Sequence, residues 1–134
     1  MLPIALLRAR EAVIASVRTI LSEEGVTEAQ WHVMRVIHQA GRLGPAATAK
    51  RACVLLRSLT RIVRDLEKLR LLAKTPHERD GHTFWLSVTE QGEALIDRHL
   101  EKSEHVFEEL QKRFGLERSD QFLELLDDLA RSKT

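Results

Sequence analysis

The sequence predicts a mainly α-helical fold with a small β-hairpin, built as a single domain over residues 1–134. Apolar residues recur at helical spacing along most of the chain, and the period changes to strict alternation only near residues 73–88. With 43% hydrophobic and 31% charged residues, the chain can order one core. Its single cysteine excludes an internal disulfide and fits a reducing cytoplasm.

Residues 2–24 are predicted to form one long helix with a wide apolar stripe. Its opening run, MLPIALL, is too short to span a membrane. Gly25 ends the helix at the position that tolerates a left-handed backbone. The stripe consists of Leu6, Leu7, Val13, Ile14, Val17, Ile20 and Leu21.

Thr27 begins a second helix, because Gln30 three residues later completes a capping box. This helix is expected to run to Ala40, with Trp31, Met34 and Ile37 pointing inward. After a turn at residues 41–44, Pro45 suits the first position of a third, short helix. Its alanines, spaced for close helix packing, are Ala46, Ala49 and Ala52. A break at residues 53–55 follows.

Residues 56–69 separate into two opposite faces when read as a helix of about 100° per residue. One face is apolar and is formed by Leu59, Ile62, Val63, Leu66 and Leu69. The other is cationic and is formed by Arg57, Arg61, Arg64 and Lys68, with Ser58 and Thr60 on its flanks. Four like charges repel each other, so the stripe indicates an anionic partner. A helix with its side chains is about 10–12 Å in diameter, which fits the roughly 12 Å width of the major groove of DNA. A solvated basic face is the alternative.

The chain then changes period and returns to helix. A short strand at residues 73–75 stops at Pro76, the polar run HERDGHT turns, and residues 83–88 alternate as a half-buried strand. Thr89 is expected to cap a long helix that ends at Phe114, before Gly115. Ser119 is expected to cap a last helix. The apolar positions of these two helices include Ile96, His99, Leu100, Ser103, Phe107, Leu110, Phe122, Leu123, Leu126 and Leu129.

A helix-turn-helix followed by a hairpin is a winged helix, which we assign to residues 27–92. The outer helices, residues 1–24 and 93–134, carry more apolar surface than a compact winged helix can cover. We therefore expect them to form the dimerisation layer of a homodimer.

Charge is unevenly distributed along the chain. Residues 42–82 hold ten basic and four acidic side chains, whereas acidic residues outnumber basic ones after residue 96. A basic middle segment is the footprint expected of a nucleic-acid partner.

Three segments resemble the MarR family of bacterial transcription regulators. They are VTEAQW at residues 26–31, SLTRIVRDLEKLRLL at residues 58–72, and RDG with LSVTEQG within residues 79–92. Residues 6–13 and 50–62 look closest to the regulators of homoprotocatechuate and related aromatic-acid catabolic operons. The resemblance implies a cytoplasmic homodimer, a repressor by family default, whose two winged helices bind adjacent major grooves of a pseudo-palindromic double-stranded operator.

By the same resemblance, Ser58, Thr60, Arg61 and Arg64 lie on the recognition helix with Arg57 near its start, and Lys68 extends the cationic stripe. Arg79, Asp80 and His82 form the wing tip. Two positions depart from the family pattern. Arg70 stands where a glycine is usual, so the recognition helix is expected to run on longer. His82 stands where an arginine is usual, which weakens the expected wing contact near neutral pH.

The resemblance also implies a small aromatic acid as effector. A carboxylate is well matched by a guanidinium, and the candidates on the first two helices are Arg8, Arg10, His32 and Arg35, with Arg8 and His32 preferred. Ser16 is a candidate hydrogen-bond partner for a phenol. The alternative is that the arginines form salt bridges and His32 is a surface residue.

Other functional classes find less support. No phosphate loop, paired-carboxylate arrangement or activated nucleophile is present, so no enzyme activity and no cofactor are expected. The histidines lack the spacing of a metal site, and Cys53 is expected to be a buried structural thiol rather than a redox sensor. Two rivals stay open: a helical dimeric adaptor whose basic helix docks an acidic protein, and a ligand-independent DNA architectural protein.

Overall fold

A computed structural model of the chain describes residues 1–132. These residues form seven helices and one two-stranded antiparallel sheet, which confirms the predicted fold class. The elements are α1 (Leu2–Ala15), α2 (Arg18–Glu24), α3 (Glu28–Ala40), α4 (Pro45–Ala52), α5 (Leu56–Lys68), β1 (Leu72–Pro76), β2 (Phe84–Val88), α6 (Glu90–Phe114) and α7 (Leu116–Arg131). None of the helices within the described residues is both long and apolar enough to cross a membrane.

The chain forms two compact units. Arg18–Leu100 forms one, and Met1–Val17 forms the other with the chain after Leu100.

The expected single helix over residues 2–24 is wrong, because it breaks at Ser16. There the N–H groups of Ser16 and Val17 bond to carbonyls three residues back, 3.3 and 3.0 Å away, and the Ser16 hydroxyl donates to the Val13 carbonyl. A serine hydroxyl competes in this way with the helical ladder, which hydrophobic periodicity cannot reveal. Gly25 ends α2 with φ of 75°, as predicted.

Helices α3 and α4 pack around the core of the Arg18–Leu100 unit. The capping box of α3 is confirmed, with Gln30 N–H donating to the Thr27 hydroxyl at 3.1 Å and Thr27 N–H donating to the Gln30 side chain at 2.9 Å. Trp31, Met34 and Ile37 are buried, as predicted. On α4, Ala49 and Ala52 are buried but Ala46 is exposed. Residues three apart drift by about 60° around a helix, so Ala46 and Ala52 cannot share one face.

The recognition-helix candidate α5 ends at Lys68, so the expected extension past Arg70 is wrong. Arg70 adopts the left-handed conformation, with φ of 62°, although it is not glycine. Its N–H donates to Glu67 and the N–H of Leu71 donates to Leu66, both at 2.9 Å, which is a Schellman motif. The reversal buries Leu71 and leaves Leu69 exposed, contrary to the inward position predicted for Leu69.

The hairpin carries one pairing that the sequence did not indicate. Strands β1 and β2 pair in register from Leu72 with Val88 to Pro76 with Phe84. Leu43, which was expected to lie in a simple turn, also bridges β2. The N–H and carbonyl of Leu43 bond to the carbonyl and N–H of Leu86 at 3.1 and 2.8 Å. The hairpin is therefore tied to the segment that connects α3 with α4.

Helix α6 begins as predicted, since the Thr89 hydroxyl accepts a hydrogen bond from Gly92 N–H at 3.0 Å. It also ends as predicted at Phe114, before Gly115. The expected cap of the last helix at Ser119 is wrong, because α7 begins at Leu116 and Ser119 is buried inside it. Gly115, with φ of 110°, turns the chain directly from one helix into the next.

Apolar side chains remain exposed on both terminal helices. Helix α1 has no buried residue at all. Among the described residues of the unit formed by Met1–Val17 and the chain after Leu100, the exposed large apolar residues are Met1, Leu2, Ile4, Leu6, Leu7, Val13, Phe114, Leu116, Phe122, Leu123, Leu125 and Leu129. Exposed apolar surface on this scale is typical of a face that a partner subunit covers.

Candidate nucleic-acid interface

Helix α5 presents a cationic face to solvent. Its opposite face buries Leu59, Val63 and Leu66 against the core, with Ile62 half-buried beside them. The exposed side chains are Arg57, Ser58, Thr60, Arg61, Arg64 and Lys68. Within residues 1–132 none of these four cations has an ion-pair partner, since Asp65 and Glu67 lie half-buried off the stripe and Glu67 pairs with Lys74 at 3.4 Å. The positive charge of this face is therefore uncompensated.

The connection into α5 places that face at a helix-turn-helix corner. Helix α4 ends at Ala52, and the following residue, Cys53, adopts the left-handed conformation with φ of 57°. Val54 N–H then donates to the carbonyl of Ala49 at 3.0 Å, and Leu55 becomes the N-cap of α5. The expectation of a buried Cys53 is wrong, because this reversal turns the thiol to the surface and leaves Val54 packed against the core instead.

The tip of the wing exposes two basic side chains. Arg79, Asp80 and His82 are all exposed. The Asp80 carboxylate accepts a hydrogen bond from His82 N–H at 2.9 Å, and the His77 Nδ1 atom accepts from the N–H groups of Arg79 and Asp80 at 3.1 and 3.2 Å. These bonds fix the backbone of the tip, where the side chains of Arg79 and His82 are both exposed.

A polar cluster at the base of the wing was missed by the sequence analysis. Glu78 lies between Arg42 at 3.0 Å and the indole N–H of Trp85 at 2.8 Å. Arg42 also lies over the Trp85 ring at 4.2 Å, and the His77 ring stacks on the same indole at 4.7 Å. Hydrogen bonds from its own backbone N–H and then from Trp85 lower the pKa of Glu78 below its ordinary value. Arg42, counted above with the basic segment, is thus neutralised locally.

A shallow groove of about 340 Å³ lies between the start of α4, the start of α5 and the wing. It is lined by Gly44, Pro45, Ala46, Ala47, Leu56, His77, Thr83, Phe84 and Trp85. Apart from His77 and Thr83, these side chains are apolar. The groove is therefore a shallow and mainly apolar surface.

The candidate effector residues lie on two helices. Arg8 and Arg10 are exposed on α1, two residues apart, and therefore do not face the same side. On α3, His32 and Arg35 are half-buried, and His32 Nε2 lies 3.4 Å from the carboxylate of Glu28. The Ser16 hydroxyl is engaged by Val13. Among residues 1–132, no group of three or more histidine, cysteine or acidic side chains is arranged to hold a metal ion.

A helix-turn-helix whose second helix exposes cations, followed by a hairpin with a basic tip, defines the class of winged-helix DNA-binding proteins. Residues 26–83 match the MarR family. The chain is 32% identical to the homoprotocatechuate degradative operon repressor of Escherichia coli over 127 residues, 95% of this chain and 86% of that protein. It is 31% identical to the HTH-type transcriptional regulator FarR of Neisseria gonorrhoeae over 128 residues, 96% and 88% of the two chains. The chain therefore belongs to the MarR family and is a DNA-binding transcriptional regulator.

Two crystal structures agree with this assignment. The transcriptional regulator PA4135 is 32% identical with a TM-score of 0.94, and the match covers 100% of this chain and 98% of that one. NadR in complex with 4-hydroxyphenylacetate is 30% identical with a TM-score of 0.87, over 99% and 94% of the two chains. The resemblance noted from the sequence is thereby confirmed.

Proposed function

We propose that this protein is a cytoplasmic, non-enzymatic repressor that binds a pseudo-palindromic operator as a homodimer and is released by a small aromatic acid. The uncompensated cationic face of α5 carries the DNA-binding part of the proposal. On that face Arg57, Arg61, Arg64 and Lys68 neutralise phosphates, which supplies salt-dependent affinity. An arginine that forks onto the O6 and N7 atoms of guanine supplies about 1–3 kcal/mol of discrimination between bases.

The homodimer is supported by the apolar side chains that α1 and α7 leave exposed, which a second copy would cover. In this arrangement residues 27–92 bind DNA, and residues 1–24 with 93–134 join the subunits. The dimer places two recognition helices on one duplex, so a two-fold symmetric protein selects a near-symmetric operator. The wing tip adds Arg79 and His82 beside the recognition helix.

The aromatic-acid effector is supported by two relatives, a repressor of homoprotocatechuate degradation and a NadR structure that holds 4-hydroxyphenylacetate. A carboxylate of this kind requires a guanidinium or an imidazolium. We propose Arg8 and His32 as its main partners, with Arg10 and Arg35 as further candidates and Ser16 for a phenolic hydroxyl. The effector acts by favouring a dimer geometry that does not fit the operator.

The DNA-binding test is a titration of the purified protein with its own upstream intergenic DNA and with unrelated DNA, at two salt concentrations. We expect preferential binding to the upstream DNA. Arg61→Ala, present twice per dimer, should lower the slope of log affinity against log salt by about 2 if it neutralises phosphate. Arg113→Ala removes an equal charge from α6 and should leave the slope unchanged. Absence of any DNA binding would favour the adaptor, and equal affinity for all duplexes would favour the architectural protein.

The effector test adds a panel of aromatic acids to the same titration. One acid should weaken operator binding, and Arg8→Ala should shift its effective concentration upward by about tenfold or more, since loss of a charge-assisted pair costs about 1.5–3 kcal/mol. The Arg8→Ala protein should still bind operator in the absence of the acid. Release that is unaffected by Arg8→Ala and by His32→Ala would contradict the proposed pocket while leaving the repressor intact.

A further inference from the structure

Two exposed leucines stand at the beginning of the recognition helix. Among the described residues of the Arg18–Leu100 unit, the exposed large apolar side chains are Leu55 at 59%, Leu56 at 56% and Leu69 at 44%. The many other exposed apolar residues belong to α1, the end of α6 and α7, where a partner subunit would cover them. Leu55 and Leu56 are adjacent, and they lie at the end of α5 that leads into its cationic face.

The choice of leucine at these positions does not serve the free protein. Leu55 is the N-cap of α5 and makes no side-chain hydrogen bond to the first turn. Serine, threonine, aspartate or asparagine is strongly preferred there, because a side-chain oxygen satisfies a free N–H group, whereas leucine is among the poorest caps. More than half of each leucine side chain also remains in solvent, so the pair contributes little to the core.

The surroundings identify the partner that these leucines suit. Arg57 and Arg61 are exposed within the first two turns of α5, and no ion pair within residues 1–132 neutralises them. An apolar protein partner would have to bury those two uncompensated charges. Duplex DNA instead offers phosphates to the arginines and, in the floor of the major groove, the C5-methyl group of thymine to an apolar side chain. The first residues of a recognition helix are those that reach base edges.

We propose that Leu55 and Leu56 are specificity residues that contact thymine methyl groups in each half of the operator. This inference rests on the proposed DNA-binding function and adds to it the base that the tip of α5 selects. The cationic face then supplies most of the affinity, and the leucine pair distinguishes a thymine, which presents a C5-methyl group, from a cytosine, which presents a hydrogen at the same position.

Deletion of the methyl groups from the DNA tests the proposal directly. A high-affinity duplex is first selected by the wild-type homodimer from a random library and then prepared with either thymidine or deoxyuridine, which differ only by the C5-methyl group. Loss of one buried methyl weakens binding by about fourfold, so loss from both half-sites should weaken it by about fifteenfold. Duplexes with deoxyuridine at single positions then locate the methyl groups that matter.

The matching protein variants are Leu55→Ala and Leu56→Ala, with Leu69→Ala as the control at the far end of the same helix. If the leucines contact the methyl groups, at least one of the first two variants binds the thymidine duplex more weakly and discriminates less than threefold between the two duplexes. The Leu69→Ala protein should discriminate as the wild type does. All three substitutions remove exposed side chains, and thermal unfolding with circular dichroism confirms that each protein is folded.

Two results would overturn the inference and leave the proposed function intact. One is equal affinity of the wild type for the thymidine and deoxyuridine duplexes. The other is that the wild type binds the deoxyuridine duplex more weakly, but Leu55→Ala and Leu56→Ala discriminate between the two duplexes as strongly as the wild type does. The methyl groups would then act through other residues or through the shape of the duplex. Failure of the selection to yield any preferred duplex would overturn the proposed sequence-specific function and this inference with it.

Discussion

The hydroxyl of Thr89 donates a hydrogen bond to the carbonyl oxygen of Arg70 across 2.7 Å. The same hydroxyl accepts a hydrogen bond from Gly92 N–H at 3.0 Å, and the backbone N–H of Thr89 donates to Leu71 at 3.1 Å. One threonine therefore joins the chain reversal after α5 to the first turn of α6. Gly92 makes this approach possible, because a Cβ atom there would lie 2.4 Å from the Leu71 carbonyl oxygen.

We expect Thr89→Val to destabilise the protein by about 1–3 kcal/mol, because it removes a helix cap and a hydrogen bond to a backbone carbonyl while keeping the volume of the side chain. Thr89→Ser keeps the hydroxyl and should cost less than half as much. The measurement is urea unfolding at one fixed protomer concentration, since the stability of a dimer depends on that concentration. Equal costs for the two variants would show that the hydroxyl contributes nothing.

Arg70 itself provides the second prediction. The left-handed conformation of a non-glycine residue destabilises the folded protein by roughly 1–2 kcal/mol. Glycine removes this strain, but it also raises the entropy of the unfolded chain, which lowers the free energy of unfolding by about 0.4–1 kcal/mol. Arg70→Gly should therefore stabilise the protein by about 0.5–1 kcal/mol. Arg70→Ala is the matched control, because it removes the same charge but keeps the strained backbone. A gain that Arg70→Ala shares would assign the effect to the arginine side chain instead.

Local chemistry explains which helix boundaries the sequence could predict. The capping box at Thr27, the proline at the start of α4 and the cap at Thr89 lie within a few residues of the bonds they make, and all three were confirmed. The end of α5 was predicted wrongly because burial of Leu71 outweighs the strain at Arg70. Burial depends on elements distant in sequence, so residue preferences near Arg70 could not reveal the reversal.

In the candidate interface, too, the sequence could predict the features that lie on one element but not those that join distant segments. Helical periodicity was sufficient to predict the cationic face of α5, since all its members lie on one element. The polar cluster at the base of the wing joins Arg42 to Glu78, 36 residues further along the chain, and Glu78 to Trp85. Leu43, next to Arg42, pairs with Leu86, next to Trp85, and no pattern in the sequence marks that pairing.

The polar cluster at the base of the wing gives a prediction about pH. Because the pKa of Glu78 lies below its ordinary value in the folded protein, the unfolded chain binds more protons at acidic pH. The contribution of Glu78 to stability is therefore present above the ordinary pKa of a glutamate and is lost as the pH falls through the folded pKa. The indole N–H resonance of Trp85 should titrate with a midpoint below the ordinary pKa of a glutamate and should become flat in Glu78→Gln. Trp85→Phe assigns the resonance. A midpoint at or above the ordinary pKa of a glutamate would contradict the lowered pKa of Glu78.

A substitution at the N-cap of α5 should raise the stability of the protein and lower its affinity for DNA. Leu55→Asn supplies the missing cap of α5 and should stabilise the free protein by about 1 kcal/mol. The same change replaces an apolar side chain with a polar one where a thymine methyl is proposed to lie, so affinity for the selected operator should fall by at least threefold. Urea unfolding and operator titration on the same preparation measure both effects.

The control for this prediction is Leu69→Asn, which makes the same exchange at an exposed leucine that lies beyond the last residue of α5. An exposed position of this kind should change stability by no more than about 0.5 kcal/mol, and operator affinity should stay within twofold of the wild type. A Leu55→Asn protein that is stabilised and binds operator with full affinity would show that the Leu55 side chain does not contact a base. The proposed thymine contact would then depend on Leu56 alone, which also lines the groove beside the wing.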